Sequence, residues 1–159
     1  MVSAEILKGF QLFEGLDESE LVEVAKLCRE RSYEEGSIIH SSGGSVANIY
    51  LLKEGEVNVQ VELVFYDLEA RINLCTLRKG DIFGWSALVP PHKSTATAKC
   101  QRKSEVITIN GKELMHTFEK NNHIGYIVMA NLNKVISSRL AATMVALRHQ
   151  IQKAAAIKV

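Results

Sequence analysis

The chain has 159 residues, 47% of them apolar and 23% charged, with a formal net charge of +1. That length suits one globular domain burying about two-thirds of its unfolded surface, and the composition excludes a disordered, collagen-like or disulfide-stapled chain. No apolar run reaches the roughly 18 to 20 residues that cross a bilayer, and Glu5 and Glu14 stand where a secretory leader would be basic, so a cytoplasmic protein with no membrane partner is expected.

A short apolar piece opens the chain, Ile6, Leu7, Phe10, Leu12 and Phe13, broken by Gly9 and Gly15. It reads as one or two helical turns. Asp17 then stands at a cap position with Glu20 three residues on, and Leu21, Val24, Ala25 and Cys28 recur at helical spacing, which predicts a helix ending near Arg31. N-terminal helices thus occupy residues 1–32.

From Tyr33 the apolar period falls to two. Val57, Val59, Val61 and Leu63 alternate with polar residues, as do Ala96, Ala98 and Cys100. Strands are predicted at 37–40, 48–52, 56–64, 70–78, 95–101 and 105–109, punctuated at Gly36, Gly43-Gly44, Gly55, the Asp67 region and Gly80-Asp81. Many short strands between turns indicate a small antiparallel barrel or sandwich over 33–110.

After Gly111 the period returns to that of a helix. Leu114, Met115 and Phe118 predict a short one, and His123 to about Ala156 a long one, near 45 Å at 1.5 Å per residue; together they make up residues 111–159. Ile136, Leu140, Met144, Leu147 and Ile151 form one stripe on the long helix, and Val128, Leu132, Val135, Ala142 and Val145 another. A barrel covers one face of so long a helix, so the second stripe is expected to meet another copy of itself. Val128, Leu132, Val135, Leu140 and Leu147 are the expected seam of a homodimer; the alternative is a helix folded back along its own barrel.

The charge is unevenly divided. Residues 1–69 carry 14 acids against 5 bases, residues 70–159 carry 4 acids against 14 bases, and no acid follows Glu119. Such a split suits either an anion-binding second half or two halves that neutralise each other on packing. Cys28, Cys75 and Cys100 are odd in number and scattered, as reduced, buried thiols would be. The five histidines show no i, i+4 pairing and no nearby cysteine pair, so no metal is expected. Gly84-Trp85-Ser86-Ala87 lacks the second glycine of a hydrolase nucleophile elbow, and His92 has no orienting acid beside it. Catalysis is not expected.

Tyr33, Gly36, Gly43, Tyr50, Gly55-Glu56-Val57 and Gly80-Asp81-Ile82-Phe83-Gly84, set in this order of elements, resemble the pattern of the cyclic-nucleotide-binding domain family of CRP/FNR-like regulators. Tyr33, Gly36, Ile38 or Ile39, Gly43 and Tyr50, followed by Gly55-Glu56-Val57, stand at the family's opening spacing. Gly80-Asp81-Ile82-Phe83-Gly84 with Ala87-Leu88 resembles the start of its phosphate-binding cassette. Thr95-Ala96-Thr97 and Cys100 resemble the strand that follows, and Asn122 to Leu140 the beginning of its C-helix. The resemblance implies a mainly β fold with flanking helices, a double-stranded β-helix or jelly-roll-like antiparallel barrel, with the cassette at 80–94. It also implies a regulatory module that needs no obligatory cofactor and has cyclic AMP or cyclic GMP as candidate ligand.

A strand-end glycine feeding a short helix turn presents bare N–H groups where an anion fits, and in the family a glutamate and an arginine complete the platform. Here Trp85 occupies the glutamate position, and Ser94, or Lys93 after a one-residue slip, occupies that of the arginine. Two charged hydrogen bonds at about 1.5–3 kcal/mol each are thereby missing. The expected ligand-binding residues are Phe83, Gly84, Trp85, Ser86, Ala87, Lys93, Ser94 and Thr95, with Thr143 at the family's C-helix hydroxyl position. Trp85 either stacks on a planar ligand or plugs its place, and Arg139 either faces the pocket mouth or, by default, lies in solvent.

Function then reads as a stand-alone sensor of a small anionic ligand that signals through the long helix. The alternatives are a ligand-free dimerisation or protein-interaction scaffold, and the effector domain of a DNA-binding regulator without its helix-turn-helix. The basic C-terminus (Lys134, Arg139, Arg148, Lys153, Lys158) is too dilute for nucleic acid, and such charges also complement a helix dipole.

Overall fold

Local hydrogen bonding sets where the first elements begin. The computed structural model describes residues 2–65 and 68–156, so the expected Asp67 turn lies outside the described residues. Helix α1 (Ala4–Leu7) and a 3-10 turn (Gln11–Phe13) precede α2 (Glu18–Ala25). Asp17 Oδ1 accepts the Glu20 N–H at 2.9 Å, and Glu20 Oε2 accepts the Asp17 N–H at 3.1 Å, a reciprocal capping box that starts α2.

The helix does not reach Arg31. It ends at Ala25, and Cys28–Tyr33 forms strand β1, so residues 1–32 hold most of a strand as well as helices. Arg29, Glu30, Arg31 and Ser32 are all exposed, leaving no alternation to reveal the strand, while Cys28 happens to extend the helical spacing of Leu21 and Val24.

Seven further strands follow: β2 (Ile38–His40), β3 (Asn48–Glu54), β4 (Val57–Phe65), β5 (Leu68–Leu77), β6 (Ile82–Phe83), β7 (Thr97–Cys100) and β8 (Ser104–Asn110). The two-residue β6 was not predicted. They make two four-stranded antiparallel sheets, in the orders β1-β8-β3-β6 and β2-β7-β4-β5, a jelly-roll-like barrel. Its interior is aliphatic: Ile49, Leu51, Leu52, Val57, Leu77, Val106, Ile107 and Ile109 are buried. The cysteines are free; Cys28 and Cys100 are buried and Cys75 half-buried, and burial pushes the Cys28 thiol up to about 12.

Asn110 caps α3 (Gly111–Lys120) by accepting the N–H groups of Lys112 and Glu113, and α4 (Asn122–Ala156) follows directly. Ile124, Val128 and Leu132 lie on one face of α4 and are buried in the chain's own core, with Val135 packed at its margin. Among them Asn131 is buried and donates to the Leu12 and Glu14 carbonyls at 3.3 and 2.8 Å. This corrects the expected seam. Val128 and Leu132, 0% and 1% exposed, have no surface left for a partner, because spacing of four places them under the 3-10 turn and α3. Beyond Thr143 the helix runs clear of the barrel, with Leu147 52% exposed and Met144, Val145 and Ile151 exposed beside it; Leu140, at the cavity's edge, is 62% exposed.

The two halves of α4 should therefore differ in stability. Leu132→Ala is expected to cost about 2–5 kcal/mol in urea unfolding, and Leu147→Ala less than about 0.5 kcal/mol at protein concentrations that keep the chain monomeric. Equal costs would show that the distal half is packed.

Candidate ligand cavity

The cavity begins with a backbone constraint. Tyr50 on β3 pairs with Phe83 on β6, and their rings stack at 5.0 Å. Gly84 then takes φ +76°, in the left-handed region, where a Cβ would sit 2.7 Å from Tyr50 Cδ2 and 2.8 Å from the Asn48 carbonyl oxygen. Both conformation and space demand glycine. The chain continues as a 3-10 turn, Trp85–Leu88, in which the Ala87 N–H bonds to the Gly84 carbonyl at 3.1 Å. The N–H groups of Trp85 and Ser86 have no acceptor among the described residues.

Beside this turn lies a cavity of about 260 Å³. Its walls come from the second sheet (His40, Val59, Leu74), the bend (Phe83, Gly84, Trp85, Ser86), the following loop (Ser94, Thr95, Ala96) and α4 (Ile136, Arg139, Leu140, Thr143). Seven of the nine residues expected from sequence are brought together here. Ala87 is turned into the core, and Lys93 lies exposed on the loop, paired through its backbone with Ser45; neither lines the cavity. Trp85 stands in the wall and leaves the space open.

The polar groups of the wall divide into engaged and unengaged. Ser94, which takes the arginine's place, donates its hydroxyl to the Ala96 carbonyl at 2.6 Å and accepts the Ala96 N–H at 3.3 Å, so it serves the loop. Thr143 donates to the Arg139 carbonyl one turn back on α4, at 2.9 Å. Arg139 is half-buried and faces the cavity, the first of its two sequence readings and not the default one. Its guanidinium carbon lies 5.5 Å from the centre of the Trp85 ring, and its N–H groups reach Cys75 Sγ and the Ile82 carbonyl, each at 3.4 Å. Sequence contained the signal for this, since Ile136, Arg139, Leu140 and Thr143 share one helical face at spacings of three and four.

His40 carried no such signal. Its ring sits 6.0 Å from both Tyr50 and Phe83, and neither ring nitrogen, though buried, has a hydrogen-bond partner among the described residues. Burial pushes the imidazole below its usual 6.5; the Ala96 backbone acts weakly the other way without completing a hydrogen bond. A native value below the unfolded one means that His40 contributes nothing to pH dependence above 6.5, and that stability falls as pH drops from 6.5 towards the native value. An imidazole titration followed by NMR should place the His40 midpoint below 6.5, and His40→Gln should flatten the acid limb of stability against pH. A midpoint at 6.5 would show that the ring is solvated.

A family model for the cyclic nucleotide-binding domain matches residues 30–121, from within β1 to the end of α3, including the bend and the cavity loop. A chain of Geobacter metallireducens GS-15, named as a cyclic nucleotide-binding protein, is 31% identical; the match covers 88% of this chain and 99% of that one, with a TM-score of 0.73. The regulatory domain of Toxoplasma gondii PKA, crystallised with cAMP, shares the fold at 21% identity and a TM-score of 0.69, over 85% of this chain and 48% of that one. Glutaminase 1 of Bradyrhizobium diazoefficiens is 27% identical over 129 residues, 81% of this chain, which spans only 20% of the glutaminase. With more than half of its length matched by the family model and a relative above 30% identity over nearly the whole chain, the protein belongs to the cyclic nucleotide-binding domain family.

Proposed function

We propose that the chain is a non-catalytic, cytoplasmic regulatory module that takes a small anionic ligand against Gly84–Ser86 and signals its presence through α4. One observation carries this reading. The same cavity is walled by the barrel on one side and by Ile136, Arg139, Leu140 and Thr143 of α4 on the other, so an occupant touches both bodies at once. A ligand shifts a conformational equilibrium only through its difference in affinity for the two states, and contact with the helix supplies that difference. Cyclic AMP and cyclic GMP are candidates by family, at an affinity reduced by the missing glutamate and arginine, roughly 3–6 kcal/mol in all.

Supporting the reading of α4 as the output is its distal half, where Leu140, Met144, Leu147 and Ile151 expose apolar side chains at spacings of four, three and four. These residues, rather than Val128 and Leu132, are the proposed homodimer seam, with Leu147 at its centre. No helix among the described residues is long and apolar enough to cross a membrane. Neither a membrane nor nucleic acid is a proposed partner.

Thermal unfolding with cyclic AMP, cyclic GMP, other nucleotides and small carboxylates at millimolar concentration tests the sensor. A ligand at a hundred times its Kd adds about 2.7 kcal/mol, a visible rise in Tm; no rise with any of them retires the sensor and leaves helix-mediated contact as the function. For the seam, sedimentation at micromolar concentration should find wild type dimeric and Leu147→Glu monomeric. An unchanged dimer would place the contact on another face.

A further inference from the structure

The cavity wall carries one permanently charged side chain, Arg139, and no carboxylate. Arg139 makes no ion pair among the described residues. Two long contacts, to a thiol and a carbonyl, engage a group that has five N–H donors in a fixed fork matched to an oxyanion. Its position over the Trp85 ring holds the fork beside a flat aromatic face. Lys93, the other cation expected from sequence, lies outside the cavity, and the Ser94 and Thr143 hydroxyls already donate within the protein.

The rest of the wall constrains the ligand's body. Val59, Leu74, Phe83, Ile136 and Leu140 are apolar, and a sugar here would bring several hydroxyl donors to a surface without a carboxylate to receive them. A ring fits better, since its faces can lie on the indole and the aliphatic side chains. At about 260 Å³ the space is just below the usual range of ligand pockets, about 300–1,000 Å³, which favours one or two rings. The unpartnered nitrogens of His40 offer such a ring one polar contact.

We propose, on the reading of the cavity as a ligand site, that its ligand is a small aromatic acid whose ring packs on Trp85 and whose carboxylate is forked by Arg139. The cation for the ligand thus comes from the long helix and not from the barrel, and capture of the acid pulls directly on α4.

The test pairs charge on the ligand with charge on the protein. Benzoate, para-hydroxybenzoate and naphthoate, each beside its uncharged amide, are titrated into wild type, Arg139→Gln and Arg139→Lys, with calorimetric Kd and Tm as readouts and circular dichroism confirming the fold. At least one acid is expected to bind wild type about tenfold or more tighter than its amide, the effect of one charge-assisted fork. Arg139→Gln should abolish that preference while leaving the amide within about twofold, and Arg139→Lys should restore part of it. An acid and its amide binding equally to wild type, or weakening equally in Arg139→Gln, would overturn the assignment of Arg139; if cyclic AMP or cyclic GMP still raises Tm, the regulatory reading stands without it. No response to any acid, amide or nucleotide would overturn both.

Discussion

The structure depends on the burial of the first turns of α4. Ile124, Val128 and Leu132 are removed from water against the core, Asn131 is tied to the backbone at Leu12 and Glu14, and His123 Nδ1 contacts the buried Glu20 Oε1 at 2.7 Å. Glu20 is the same residue that completes the capping box of α2, so α2 and the start of α4 meet at one carboxylate. With its beginning fixed, a helix has no choice about where its next two turns lie. They pass over the cavity, which is how Arg139 comes to stand above Trp85.

Charge is arranged in two ways for two purposes. On the surface, bases of the second half meet acids of the first: Arg78 and Arg102 share Glu56, Lys79 faces Glu54, Lys103 faces Glu34 and Arg71 faces Glu62. The opposite halves neutralise each other, in exposed pairs that add little stability individually. Arg139, like several surface bases of the second half, reaches no acid among the described residues, but it looks into an apolar space. A guanidinium so placed keeps its electrostatic reach, because the low-dielectric wall screens it less than water would.

Much of this was legible from residue order. Alternation in Val57–Leu63 and Ala96–Cys100, the capping pair Asp17 and Glu20, and the unbroken run from His123 gave the barrel, α2 and α4 close to where they lie. The losses have local causes. Strand β1 presents four exposed side chains in a row, so its extended backbone left no periodic trace, and β6 is too short to have a period. Within the site, the bend and its neighbours followed from glycine spacing, whereas Lys93 and Ala87 were separated from the cavity by single-residue differences in loop and turn direction. His40 was invisible because a histidine on a short strand has no pattern of its own, and its aromatic neighbours Tyr50 and Phe83 are distant in sequence.

Gly84 has a consequence for how such domains are recognised. The clash that any larger side chain would make with Tyr50 and Asn48 exists whether or not the neighbouring hollow is ever occupied. Drift could therefore erase every ligand contact and still leave that residue untouched. A glycine signature of this kind records the architecture of a corner, and chemistry among such relatives must be sought in the side chains that change around it.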